Sequence, residues 1–359
     1  MSRFNTMPSR STLTATSRLA RPMAWLAAGT ILVVAACGSE STSGNQLRLD
    51  STKWIAYTTC TDCNNADEQL WLAHPDGRGD HIIANTGDST AHPDFSRDGK
   101  WIAYEGPLGS IDKDYEQIVV AAADGSNPHL AHIVGCAPPT CGYGRASWSP
   151  DSARLALSVD FGPFQNDLPI ANGIGILDLA SGRIIQFTKH PNQPSSVDIG
   201  QDLYPRWSPD GSQIVFYRER AGQTGFDETA IFIVNVDGTN LHQLTLWSEL
   251  AGDPDWSPDG SKIVYSTHPL RVDWGADVES ELITIRPDGS GRTVLTKFGL
   301  GGPRGTQPRW TPDGKAIVYT KQSTGGDFTR HIWAIAADGS SDTPVLTARV
   351  ICTNPVMQP

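Results

Sequence analysis

The side chains able to do chemistry in this chain are nine histidines, 39 Asp and Glu residues, 28 Lys and Arg residues and six cysteines. The histidines form no His-Glu-x-x-His pair or comparable metal-binding spacing. Gly-x-Ser-x-Gly, the strained turn that presents a serine nucleophile, is absent, as are the phosphate-cradling glycine loop and the dinucleotide fingerprint. No catalytic residue, metal ligand or cofactor site is therefore assigned. His92, His190, His268 and Gln307 are scattered along the chain and would make a centre only if the fold gathers them. Carboxylates do recur regularly: Asp98, Asp151, Asp210, Asp259 and Asp313 are spaced by 53, 59, 49 and 54 residues. One carboxylate per unit, always in the same phrase, points to turn chemistry, because Asp accepts hydrogen bonds from its own turn backbone. Phe95, Trp148, Trp207, Trp256 and Trp310 recur in the same way, which suits packing between units better than sugar stacking.

The elements that would position these residues follow from the repeat. Pro205-Arg-Trp-Ser-Pro-Asp-Gly-Ser-Gln-Ile-Val-Phe216 has counterparts starting at Pro93, Ala146, Pro254 and Pro308. Arg97 replaces the turn proline in one copy, and Ser152 the turn glycine in another. A second β-rich phrase, ending in Asp-Gly or Ser-Gly at residues 77, 125, 182, 238, 289 and 339, interleaves with the first and occurs six times. An apolar stretch such as Leu241–Thr245 follows most copies. Each unit reads as four short antiparallel strands, here A to D, with Pro and Gly at the corners of the A–B turn. Four strands about every 50 residues make a propeller blade. The predicted fold is all-β, a six-bladed propeller over residues 53–359.

The Trp-Ser-Pro-Asp-Gly-x-x-Ile-Val-Tyr phrase resembles the WD-like repeats of TolB-like propellers, over about 300 residues. The resemblance implies a propeller of the cell envelope. It also marks two departures: TolB proteins carry an α/β domain before the propeller and are soluble. Here about fifteen residues separate Cys37 from the first strand, and the chain reads as lipidated.

That reading rests on the N-terminus. Arg3, Arg10, Arg18 and Arg21 precede an apolar stretch from Met23 to Ala36, which ends Val-Ala-Ala-Cys37. The pattern is similar to a bacterial lipobox, so residues 1–37 are expected to be a lipoprotein signal peptide, with Cys37 the lipidated residue. An ordinary signal peptide cleaved near Ala36 is the alternative. The Ser/Gly-rich residues 38–52 read as a tether. Gly38 after the cysteine resembles outer-membrane sorting, so the protein is expected on the outer membrane facing the periplasm. Beyond Cys37 the chain has 24 basic against 39 acidic side chains, which excludes a nucleic-acid footprint.

Two further expectations concern closure and binding. The first unit starts at strand B, Trp54-Ile-Ala-Tyr57, and Asn354-Pro355-Val356-Met357 has the shape of the missing strand A, so the C-terminal strand is expected to close the first blade. Aligning that pair on Pro205 and Phe216 places Cys352 opposite Cys60, within disulfide range. The expected pairs are Cys60–Cys352 and Cys136–Cys141. Cys63–Cys352 and Cys60–Cys63 remain open, and Cys63 is otherwise left over. For binding, Phe161 and Phe164, with Arg271, Asp273, Trp274 and Asp277, lie in long unlike segments between strands B and C. Segments 191–204 and 218–227 share the same face of the disc. These loops are expected to take an envelope protein, peptide or glycan. A polysaccharide lyase or hydrolase with its site in the central channel is the alternative.

Overall fold

The computed structural model describes residues 47–59, 68–87, 92–106, 108, 117–135, 141–161, 171–186, 188, 201–221, 227–267, 280–299, 302–323, 329–346 and 351–359. Its 24 strands form six four-stranded antiparallel sheets. Blade one combines β24 (Ile351–Met357) with β1 (Ile55–Thr59), β2 (Glu68–Ala73) and β3 (His81–Gly87). Blade two is β4 (Asp94–Phe95), β5 (Trp101–Glu105), β6 (Ile118–Ala122) and β7 (His129–Leu130). Blade three is β8 (Cys141–Trp148), β9 (Arg154–Phe161), β10 (Ala171–Asp178) and β11 (Arg183–Gln186). Blade four is β12 (Asp202–Trp207), β13 (Gln213–Ala221), β14 (Asp227–Asn235) and β15 (His242–Gln243). Blade five is β16 (Ala251–Trp256), β17 (Ile263–Thr267), β18 (Leu282–Ile285) and β19 (Thr293–Val294). Blade six is β20 (Arg304–Trp310), β21 (Ala316–Gln322), β22 (Arg330–Ala336) and β23 (Asp342–Leu346). The predicted fold, blade count and C-terminal closure are those observed.

There is no single core. Six apolar clusters each lie between two neighbouring blades. Strand alternation makes this possible, since successive side chains point to opposite faces of a sheet. In β13, Ile214 and Phe216 face blade three while Val215 and Tyr217 face blade five. The repeated tryptophans fill these seams, as expected: the Trp148 indole N–H donates to Asp94 O across 3.1 Å, and that of Trp256 to Arg206 O across 3.2 Å. Leu47 and Leu49, inside the stretch read as a tether, already pack against the seam between blades six and one.

The A–B turns are held as the sequence suggested. In blade four the Ser208 hydroxyl donates to Asp210 Oδ1 (2.6 Å), the Ser212 amide donates to the same carboxylate (3.0 Å), and Gln213 N–H donates to Ser208 Oγ (2.9 Å). The set repeats around Asp98, Asp151, Asp259 and Asp313. These turns and the C–D turns, which carry Asp76, Asp124, Asp178, Asp237, Asp288 and Asp338, lie at the same end of the blades. That end is the turn face. The B–C and D–A connections make the opposite, loop face.

The register of β24 departs from the expected one. Ile55↔Met357 and Ala56↔Val356 have it, but two bulges then shift the pairing to Thr58↔Thr353 and Thr59↔Ile351. Cys352 therefore falls in a bulge instead of directly opposite residue 60. The cause is general: β12, used for the alignment, itself slips between Leu203 and Arg206, at Tyr204-Pro205. Proline has no N–H for the ladder, which suits it to the bulged position, and β8 bulges at the same place with Ala146. Cys60, Cys63 and Cys136 lie outside the described residues, as do the side chains of Cys141 and Cys352. The two disulfides accordingly stay proposals.

Two predictions follow from the turns. Ser152 sits at φ +56°, where the other A–B turns have glycine at +67° to +74°. A left-handed residue with a Cβ costs about 1–2 kcal/mol, offset in part by glycine's greater freedom in the unfolded chain. Ser152→Gly should therefore stabilise by about 0.5 kcal/mol in chemical denaturation. Ser152→Ala, which keeps the Cβ, should give no gain.

All eleven turn aspartates have pKa values held below the usual 3.8. Hydrogen bonds from Ser and Thr hydroxyls and turn amides lower most of them. At Asp151 and Asp313 burial is the largest influence and raises the pKa, but the hydrogen bonds outweigh it. A carboxylate with a depressed folded pKa stabilises the fold above its unfolded pKa and loses that contribution as pH falls through the folded value. Urea midpoints should drop as pH falls below about 4, and Asp210→Asn should show a smaller drop. A midpoint that stays flat over that fall would contradict the turn assignment.

Candidate functional site

Strand A of each blade is innermost, and its residues face the axis where they are not committed to a seam. The bulge in β12 has equivalents between Gly144 and Ser147 in β8, Gly252 and Asp255 in β16, and Thr306 and Arg309 in β20. At each bulge, and just before β4, a non-glycine residue adopts left-handed backbone: His92 (φ 38°), Arg145 (55°), Tyr204 (54°), Asp253 (52°) and Gln307 (55°). Asn354 holds the same place in blade one, and its side chain lies outside the described residues. Each stands three residues before its blade's aromatic, on the loop-face side of it. Strain of this kind costs about 1–3 kcal/mol per residue and clusters at functional sites.

The five side chains converge. His92 of blade two and Tyr204 of blade four are separated by all of blade three, yet His92 Nε2 and the Tyr204 hydroxyl are 2.7 Å apart. Such a contact is possible only across the axis. The Arg145 guanidinium lies 5.2 Å from the Tyr204 ring centre, a cation–π distance, and Tyr217 stacks on Tyr204 with ring centres 5.5 Å apart. Gln307 N–H donates to Asp253 Oδ2 (3.3 Å), to which the Ser266 hydroxyl also donates (3.3 Å). The Thr320 hydroxyl reaches Gln307 Oε1 at 3.5 Å.

One residue from outside strand A supports the ring. Glu105, the last residue of β5, is fully buried, with Oε1 3.1 Å from His92 Nδ1 and accepting the Arg145 backbone N–H. Gly144 admits it: a Cβ there would meet the carboxyl at 3.1 Å. Burial works against the Glu105 charge, but His92 and Arg145 outweigh it and hold the pKa below the usual carboxylate range. Burial acts on its neighbours too. It pushes the Tyr204 hydroxyl up to about 12, against the pull of Arg145, and it raises Asp253 despite Arg309. Tyr204 and Arg145 are partly exposed, whereas His92, Asp253 and Gln307 are buried, so Arg145 and Tyr204 form the accessible surface.

Of the scattered set read from the sequence, the fold gathers His92 and Gln307 into the ring, while His190 and His268 lie outside the described residues. Phe164, Arg271, Asp273, Trp274 and Asp277 also lie outside them, and Phe161 ends β9 with its side chain undescribed. Cys37 is likewise outside. Arg145, Tyr204, Asp253 and Glu105 were missed. The sequence held a signal for three of them: the residue just before the repeated Pro (or Ala146) is His, Arg, Tyr, Asp, Gln and Asn in the six blades, polar every time and never the same.

The comparisons agree with this architecture. The TolB of Acinetobacter baumannii superposes with a TM-score of 0.61 at 18% identity, over 87% of this chain and 68% of that one. The hydrazine synthase of Kuenenia stuttgartiensis gives 0.63 at 14%, over 85% of this chain and 46% of that one. The oligogalacturonate lyase of Vibrio parahaemolyticus gives 0.52 at 13%, over 83% and 80%. Identities this low speak for the fold alone. No curated protein sequence matches the chain significantly. The family model described as the TolB beta propeller domain matches residues 50–359, and the chain belongs to that family.

Proposed function

We propose that this protein is an envelope-anchored binding propeller that takes a protein, peptide or glycan at its loop face, with the axial ring as the floor of the site. The observation that carries this reading is the convergence of His92, Arg145, Tyr204, Asp253 and Gln307 from five blades, each on left-handed backbone. Family membership and the lipobox-like sequence ending at Cys37 support placement at the envelope, anchored through lipid, on the outer membrane facing the periplasm. The loop residues Phe161, Phe164, Arg271, Asp273, Trp274 and Asp277 would form the walls.

A second reading, a lyase or hydrolase acting on an acidic polysaccharide, is favoured by the pairing of an arginine with a His–Tyr couple. Binding is the stronger of the two because, among the described residues, the ring's Tyr204 and His92 are both held by partners. Tyr204 keeps its proton at neutral pH, since its pKa is near 12. His92 has polar partners close to both ring nitrogens, Nδ1 3.1 Å from Glu105 Oε1 and Nε2 2.7 Å from the Tyr204 hydroxyl. A general base needs an open lone pair within reach of the substrate proton.

Two measurements test these readings. Mature protein used as bait on solubilised envelope should retain a partner that Arg145→Glu and Trp274→Ala reduce by about tenfold or more, a loss of roughly 1.4 kcal/mol. Equal recovery by both variants, with folding intact, would overturn the binding reading. A rise in ultraviolet absorbance from unsaturated uronate, lost in His92→Gln, would establish the enzyme instead. Glu105→Ala should destabilise the propeller by about 3 kcal/mol in urea, because it strips the counter-charge from a buried site. A cost under about 0.5 kcal/mol would mean that Glu105 does not hold the ring.

A further inference from the structure

At the other end of the channel, on the turn face, the inner strands line a partly open cavity of about 100 Å³. None of the loop-side ring residues lines it. Four of its charged lining residues stand just before the repeated aromatic, Asp94, Arg206, Asp255 and Arg309, and Arg97 of the blade-two turn adds a fifth. The edges of Trp207 and Trp310 contribute to an apolar collar around them.

The two carboxylates are already committed. Asp94 Oδ2 accepts the Trp148 backbone N–H (2.9 Å), and Asp255 Oδ2 accepts that of Trp310 (2.8 Å). Each ties its blade to the next. The two guanidiniums are not committed in this way. Arg309 is 3% exposed, and its hydrogen bond is from Nη1 to Pro308 O at 2.9 Å. Arg206 is 6% exposed. Its Nη1 is 3.4 Å from Ala146 O and 3.9 Å from Asp94 Oδ1, and its buried Nε has no acceptor among the described residues. Burial, then the neighbouring Arg206 charge, brings the Arg309 pKa down to about 10, so it stays protonated at neutral pH. Asp255 and Asp94 balance the two cations in charge, but the guanidinium N–H groups outnumber the acceptors they reach, and buried donors are costly until a ligand completes them.

We propose that this cavity is a second binding site, for a small organic acid whose carboxylate sits between Arg206 and Arg309 and whose apolar body lies against the collar. Guanidinium and carboxylate match as planar groups joined by paired charge-assisted hydrogen bonds. The collar favours a flat apolar stem over an inorganic anion. The Asp94 and Asp255 charges set the selectivity: they repel a second negative charge, so a monoacid is preferred to a diacid.

Benzoate is the probe, and benzamide its uncharged isostere. The indoles around the cavity provide the readout through intrinsic fluorescence, with calorimetry alongside, at neutral pH and low salt. Saturable benzoate binding at least about tenfold tighter than benzamide, and weakened about tenfold or more in Arg309→Gln, is the expected result. The isostere comparison needs only the wild-type protein, so it stands even if Arg309→Gln fails to fold. Three results would overturn the proposal: no saturable benzoate response, equal affinity for benzamide, or loss of benzoate binding in Arg145→Gln with retention in Arg309→Gln. The last would assign the anion to the loop-side ring.

Discussion

The pairing of β24 with β1 is the constraint on which the other features depend. A single blade has two apolar faces and can bury neither by itself. Each seam is completed by the blade before and the blade after, and the seam between blades six and one exists only once the C-terminal strand is in place. That seam contains Ile55, Tyr57, Val318, Ile332, Ala334 and Met357, contributed by the two ends of the chain and by blade six. The ends are also tied by main chain and side chain: Gln358 N–H donates to Trp54 O at 2.8 Å, and Lys53 Nζ donates to Pro359 O at 2.6 Å. Closure of this kind also removes two sheet edges that would otherwise be open to pairing with other chains.

A closed ring can hold strain that an open sheet would release. Five left-handed non-glycine residues at the axis cost about 1–2 kcal/mol each in isolation. They persist because each stands three residues before a seam aromatic, Phe95 in blade two and tryptophan in the other four, that the neighbouring blade fixes in place. The proline that follows four of the five serves the same end. It removes a ladder donor on the axis side, where the missing partner costs little, and it breaks the alternation so that the preceding side chain turns out of the seam toward the axis.

The same logic explains what could be read from the sequence. Fold, blade count and the origin of the sixth inner strand were legible because the Pro-x-aromatic-Ser-Pro-Asp-Gly phrase is dictated by turn geometry and seam packing, and both recur identically. The register of β24 was not, because a bulge adds a residue without altering the phrase that marks the strand. His92 and Gln307 were noticed as residue types able to do chemistry, without any reason to place them together. Tyr204 and Asp253 carry no signal within the repeat phrase, since they stand one residue before the proline that opens it. Glu105 left no sequence signal at all: it ends a strand B in which nothing marks its carboxyl as turning toward Gly144 of the next blade.

Where the sequence varies and where it repeats then becomes a statement about forces. Positions that face a seam must be apolar and of nearly fixed size, because interiors are close-packed and a neighbouring blade fills the remaining space. Positions that face the axis meet no such wall. Two of them recur in every inner strand, one three residues and one a single residue before the aromatic position; the first is different in every blade and the second varies among Asp, Ser, Arg and Val. The first makes the loop-side ring of His92, Arg145, Tyr204, Asp253 and Gln307. The second makes the turn-side set of Asp94, Ser147, Arg206, Asp255, Arg309 and Val356. The propeller is thus a six-fold frame with two interchangeable layers along its axis, and the two are chemically unlike. In the loop-side layer the charged groups are knit together through His92, Glu105 and Arg145. In the turn-side layer the acids are bound to backbone and the arginines are left with little. Repetition supplies the frame, and departure from repetition at these two axial positions is what allows the frame to recognise anything.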